Sequence, residues 1–230
     1  MKIQKSIILV FSVVALSMTS FSAYAQQDTP GTNRASSGQG DGGVAIGVNL
    51  AWLGIATPNI SVELPVSDHL SLALSGGFKP KIWPRWSPFD NDLDKTRKWI
   101  HMAVIPSVRW WPGAVYNGFF LGADLIYAHY NMAGVNLPLG IYPDIWKNRL
   151  QGDFYGGGLS AGGSFWLSDH FSLAVSAGAF AGYKNATRFY CPRCSPQAED
   201  PTSQGLEVAP KLDVSIAYHI FGEKRAGQKK

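Results

Sequence analysis

From Val44 to Phe221 apolar and polar residues alternate with a period of two, interrupted by turn chemistry. The last stretch puts Val208, Pro210, Leu212, Val214, Ile216, Tyr218 and Ile220 on one face, with Ala209, Lys211, Asp213, Ser215, Ala217 and His219 on the other. Phe171, Leu173, Val175 and Ala177 oppose Ser172, Ala174, Ser176 and Gly178, and Ile60, Val62, Leu64 and Val66 oppose Ser61 and Glu63. Ile100, Met102, Val104, Val108 and Trp110 oppose His101, Ala103, Ser107 and Arg109. Strands are expected at about 44–54, 69–78, 116–130 and 153–167 as well, which makes eight. Short connections at Ser67-Asp68-His69, Pro112-Gly113 and Ser168-Asp169-His170 alternate with long segments at 79–97, 131–152 and 184–206. Gly54 to Asn59 is the one short connection on the long side. Short turns on one rim and long loops on the other predict an all-β fold: an eight-stranded antiparallel up-and-down transmembrane β-barrel. The stretch Val66 to Ser75 also echoes Leu167 to Ser176, as a barrel of repeated hairpins would.

Alternation alone does not say which face is inside; composition does. The polar face is mostly Gly, Ala and Ser, including Ser71, Ala73, Ser75, Gly156, Gly158 and Ser160. Small residues suit the crowded interior of a narrow barrel, whereas a surface in water would carry far more Lys and Glu. Charged residues are 16% of the chain, against roughly 25% in soluble domains. Aromatic residues near predicted strand ends (Trp83, Trp86, Trp99, Trp110, Trp111, Tyr116, Phe119 and Trp166) are expected to form the girdles of a membrane barrel. The soluble alternative is a lipocalin-like ligand-binding barrel with its apolar face inside.

The chain opens with Lys2 and Lys5, an apolar stretch from Ile7 to Leu16, and Ala23-Tyr24-Ala25, the layout of a secretory signal peptide. The predicted division is a signal peptide at 1–25, a flexible Gly- and Ser-rich leader at 26–43, the barrel at 44–221 and a basic tail at 222–230. Beyond the signal there is no apolar run of about 18 residues, so crossing a membrane would fall to strands. The net charge of +4 falls to +2 once Lys2 and Lys5 are removed (4 − 2), and the basic residues form no run. Nucleic acid is thereby disfavoured as a partner. The expected location is the outer membrane, with its lipid as the partner of a monomer.

Five charges fall on the polar face: Glu63, Arg109, Asp124, Lys211 and Asp213. Inside a narrow barrel they must pair, as a structural network or as a gate or proton path. Asp90-Asn91-Asp92-Leu93-Asp94 has the spacing of calcium-loop ligands but lacks the glycine and the acidic twelfth position of that loop (Lys95 and His101), which points to a solvated loop. Cys191 and Cys194 form a CxxC pair whose export favours a small disulfide, with redox or partial metal chemistry as the alternatives. His129 has outward parity but no evident serine and acid companion. No phosphate-binding loop or nucleotide fingerprint is present, so no cofactor is expected.

Short motifs also carry a resemblance. They are Asn49-Leu50, Thr57 to Glu63, Leu70-Ser71-Leu72, Arg109-Trp110-Trp111, Gly118-Phe119-Phe120, Gly156 to Gly158 and the Cys191/Cys194 loop. Over about residues 44–221 the chain resembles a family of outer-membrane barrels classed as a domain of unknown function, common in Bacteroidetes and often encoded near fimbrial genes. More distantly it is similar to outer membrane protein A-type barrels. The resemblance implies an outer-membrane barrel with surface or fimbrial proteins as partners, and brings no established activity. The expectation is therefore a non-enzymatic barrel whose external loops serve surface interaction, with fimbria-linked assembly or anchoring as its use. The alternative from another class is a lipid-modifying barrel enzyme.

Overall fold

The computed structural model describes residues 43–55, 57–79, 98–133, 148–189 and 200–220. Eight strands follow one another round a closed barrel: β1 (Val44–Asn49), β2 (Asn59–Ser67), β3 (Leu70–Lys79), β4 (Lys98–Trp110), β5 (Gly118–Ala133), β6 (Arg149–Trp166), β7 (Phe171–Phe189) and β8 (Asp200–Ile220). Every neighbouring pair is antiparallel, and β8 closes on β1 with Val44 opposite Ile220 and Asn49 opposite Ser215. The up-and-down architecture is the one the alternation predicts.

The registers fix the shape. Ala45 faces Glu63, which faces Ala73, and the path continues through Ser107, Asp124, Gly158, Phe180 and Ala209. Extending the β8–β1 register would set Ala209 opposite position 55, ten residues along from Ala45 (55 − 45). A stagger of that size in eight strands tilts them by about 40° and leaves an interior that side chains fill.

Two expectations need correction. The first strand does not run to position 54. β1 stops at Asn49 and gives way to a one-turn helix, α1 (Leu50–Gly54). The Asn49 side chain accepts from Trp52 N at 3.1 Å as an N-cap. The Asn59 amide then takes the place of a strand neighbour, accepting from Asn49 N at 2.6 Å and donating to Asn49 O at 2.9 Å. Continued strand parity would have turned Trp52 outward; α1 instead packs it over the lumen against Ile105, Phe154 and Phe180. The long segments at 131–152 and 184–206 are also shorter than expected, because β5 runs to Ala133, β6 starts at Arg149, β7 runs to Phe189 and β8 starts at Asp200, whereas the one at 79–97 falls between β3 and β4 as expected. The wall is therefore tallest along β5–β8.

The ladder carries two shifts, at Pro65/Ser67 in β2 and Ala186/Arg188 in β7. The β4–β5 register skips Ile105 and Pro106, where proline has no N–H to give a neighbour.

Candidate functional site

The inward side chains stack in layers that seal the lumen. Trp111, Tyr116 and Phe120 form a buried floor at the short-turn end, joined by Ala45. The Trp111 indole N–H donates to Ser71 Oγ at 2.9 Å, and Ser71 donates to Glu63 Oε1 at 2.5 Å. Arg109 pairs with Glu63 Oε2 at 2.7 Å and lies 4.8 Å from the centre of the Phe120 ring. Tyr116 sits in the turn at φ 68°, held by its hydroxyl on the carbonyls of Gly43 (3.1 Å) and Glu63 (3.0 Å). Burial holds that phenol above its ordinary range, so it stays a neutral donor. His219 joins the floor with its ring 4.7 Å from Tyr116 and its Nε2 2.7 Å from Ser172 Oγ.

The next layer centres on Asp124, only 3% exposed. Lys211 lies 2.7 Å from Oδ1, Ser107 donates to the same oxygen at 2.5 Å, and Ser160 donates to Oδ2 at 2.8 Å. A buried carboxylate so surrounded has a cation and two hydroxyl donors to offset its desolvation. Above it Ile105, Phe154 and Phe180 fill the bore beneath Trp52. The glycines across from the rings make this filling possible. A Cβ on Gly162 would come within 2.8 Å of Phe120 Cζ, and one on Gly77 within 2.5 Å of the Trp52 ring.

Of the five charges singled out in the sequence, four thus form two separate pairs, Glu63–Arg109 and Asp124–Lys211. Asp213 instead accepts a hydrogen bond from Ser215. Sequence reasoning missed a third pair, Lys184–Glu207 at 2.7 Å. Its signal was there, since the inward parity of β7 and β8 runs past the ends assigned to those strands. Cys191, Cys194 and the Asp90 to Asp94 run lie outside the described residues. Among the described residues no group of His, Cys, Asp and Glu is placed to hold a metal.

The outward face is the reverse of the lumen. Leu64, Leu72, Leu74, Val108, Leu121, Leu125, Leu159 and Leu212 are all exposed, Leu159 at 73% and Leu125 at 62%. Tyr127, Tyr155 and Tyr183 lie directly opposite one another on adjacent strands and continue to Leu206 on β8. Beyond this row the outward positions turn polar, with Asn131 bonded to Gln151 and Gln204 to Asn185. Towards the short turns the exposed aromatics are Trp110, Phe119, Phe165, Phe171 and Tyr218. From Tyr155 to Phe165 along β6 is ten residues, a height of about 25 Å at ~3.3 Å per residue and ~40° tilt.

The aromatic expectation is thereby corrected. Trp99, Trp111 and Tyr116 are buried, and Trp166 packs against the floor. Nearness to a strand end does not by itself turn a ring outward, and Trp99 and Trp111 share the inward parity of Arg109. Trp83 and Trp86 lie outside the described residues. His129 does have an acid companion: its Nδ1 is 2.9 Å from Asp153 Oδ1, which also accepts from the Tyr127 hydroxyl at 2.8 Å. No serine is bonded to this outward cluster among the described residues.

Fold and lumen define a class, the closed eight-stranded up-and-down barrel with a packed core and an apolar exterior. The chain belongs to a family described as a protein of unknown function, DUF3575, whose model matches residues 11–220. No curated protein matches it. The family match covers the whole barrel from β1 to β8.

Proposed function

We propose that the chain is an outer-membrane barrel that crosses the bilayer with a sealed lumen and uses its taller rim for surface interaction. The observation that carries this reading is the exposed apolar band between two aromatic rows, about 25 Å apart on β6, the height of the lipid-facing band of such barrels. No helix among the described residues is long and apolar enough to cross a membrane, and strands of this length need none. The filled lumen argues against a pore. β5–β8, at 16 to 21 residues, exceed the 9–11 or so that a tilted strand needs to span, so they carry the wall beyond the lipid. The family resemblance supports use of that rim in fimbria-linked anchoring. A lipid-modifying role is the second reading, motivated by the outward Tyr127–Asp153–His129 cluster, and the lipid A profile of a deletion strain tests it.

Membrane fractionation with electrophoresis of heated and unheated samples tests the first reading. The protein is expected in the membrane fraction with a heat-dependent mobility, because a closed barrel resists detergent until boiled. Leu159→Arg, near mid-band, should cost about 2–4 kcal/mol in vesicles, and Asn185→Lys, in the polar belt, about 0–1 kcal/mol. Recovery in the soluble fraction without a heat shift overturns the reading.

A further inference from the structure

Above the end of β1 the barrel wall has a gap. β1 leaves the ladder opposite Ser215, so from Asp200 to Val214 β8 has no strand on its β1 side among the described residues. Pro210, which has no N–H to offer a neighbour, lies in that stretch, and α1 packs against β8 there. A cavity of about 210 Å³ occupies this place. On β4, β5 and β7 it touches inward residues only, Ile105, Ser107, Arg109, Ile126 and Phe180, and on β3 it touches the inward Ser75 and its neighbour Gly76, which has no side chain to turn to either face. On the strands flanking the gap it touches consecutive residues, Asn59 to Ser61 and Ala209 to Asp213. Successive strand residues point to opposite faces, so a cavity enclosed by sheet would meet alternate positions. Consecutive contacts mark where it passes through the wall.

The chemistry changes across the cavity. Its roof is apolar, made by Trp52, Ile105, Ile126 and Phe180, and its floor carries Ser107, Arg109, Lys211 and Asp213. At its mouth Ile60 and Leu212 are 57% and 60% exposed and belong to the outward apolar band. The two cations of the floor, Arg109 and Lys211, are already paired with Glu63 and Asp124 behind it, and Asp213 adds a third carboxylate, so a further anion would meet surplus negative charge.

We propose that the gap between β2 and β8 is a lateral binding site for a single-chain amphiphile with a small uncharged polar head. The head hydrogen-bonds at the Ser107–Lys211 floor, and the chain passes beneath Trp52 and out past Ile60 and Leu212 into the bilayer. This rests on the membrane reading, because only there does hydrocarbon lie against the mouth.

The test uses full-length protein in vesicles containing a chain-brominated monoacylglycerol, which quenches nearby tryptophan. Quenching should saturate, the saturable part should be missing in Trp52→Phe, and Ala209→Phe, which fills the cavity, should abolish it while keeping the heat-dependent mobility. The same brominated chain on a carboxylate should bind at least several-fold more weakly. Quenching that rises linearly with bromolipid and is equal in wild type and Ala209→Phe overturns the proposal. Flotation with the vesicles separates the two readings. Protein that stays out of the floating fraction refutes the membrane assignment, and saturable quenching by the same probe in solution, sensitive to Ala209→Phe, would still support the cavity.

Discussion

Replacing Lys211 by Met isolates the central charge pair. Asp124 is 3% exposed and has three donors, Lys211 at 2.7 Å, Ser107 at 2.5 Å and Ser160 at 2.8 Å. Removing one partner of a buried pair typically costs about 3–5 kcal/mol, mostly the desolvation of the charge left behind. Two hydroxyl donors stay with Asp124, which puts Lys211→Met at the low end, about 3 kcal/mol. The methionine keeps an apolar stem near Phe180, whose ring lies 5.9 Å from the native ammonium, so little packing is lost. Asp124→Leu added to Lys211→Met removes the stranded carboxylate and should return stability to within about 1 kcal/mol of wild type. The two changes then couple by roughly 2 kcal/mol or more. Denaturant unfolding in vesicles, followed by tryptophan fluorescence, measures all the corners of the cycle. A single-variant cost below about 1 kcal/mol, or a double variant as unstable as Lys211→Met, would refute the claim that this pair is a closed electrostatic unit.

Tyr116→Phe removes the hydroxyl that holds the carbonyls of Gly43 and Glu63 and should cost about 1–2 kcal/mol, read as a lower temperature for the electrophoretic shift; an unchanged temperature would deny the hydroxyl a structural role. Gly162→Val sets a side chain 2.8 Å from Phe120 Cζ and 2.4 Å from Val175 O and should cost at least about 1–3 kcal/mol through overpacking. Gly163→Ala, whose Cβ faces outward towards the Phe165 ring, should stay within about 0.5 kcal/mol, and equal effects at the two positions would reject the plugged bore.

The barrel was legible because a strand shows its two faces to two different surroundings. On β4 the parity that turns Arg109 inward carries Ser107, Ala103 and His101 with it. The interior pairs followed less directly. Glu63 and Arg109 are two strands apart, and only the stagger brings them together, a quantity set by registers that alternation does not reveal. α1 was hidden for another reason. Leu50 to Leu53 is an apolar run that a strand and a helical turn accommodate equally, and the deciding contacts are the side-chain amides of Asn49 and Asn59. The cavity depends on that break, and so it too was invisible in the pattern.

The echo between Val66–Ser75 and Leu167–Ser176 gains physical content from the floor of the barrel. In one half the carbonyl of His69 accepts from Trp111 N at 2.8 Å, and in the other the carbonyl of His170 accepts from His219 N at 2.8 Å. Ser71, two residues after the first histidine, bonds the Trp111 ring nitrogen, and Ser172, two after the second, bonds that of His219. Chance similarity between amphipathic strands would leave the two turns with unrelated partners. Here the same turn does the same work four strands apart, half-way round a ring of eight, and the rings it anchors both meet Tyr116, at 6.2 Å for Trp111 and 4.7 Å for His219. The short-turn end is thus closed from two opposite sides by one repeated device. The other end lacks that symmetry, because β1 breaks off at Asn49 while β5, its counterpart four strands on, continues to Ala133. The floor is sealed where the two halves agree, and the wall opens where they differ.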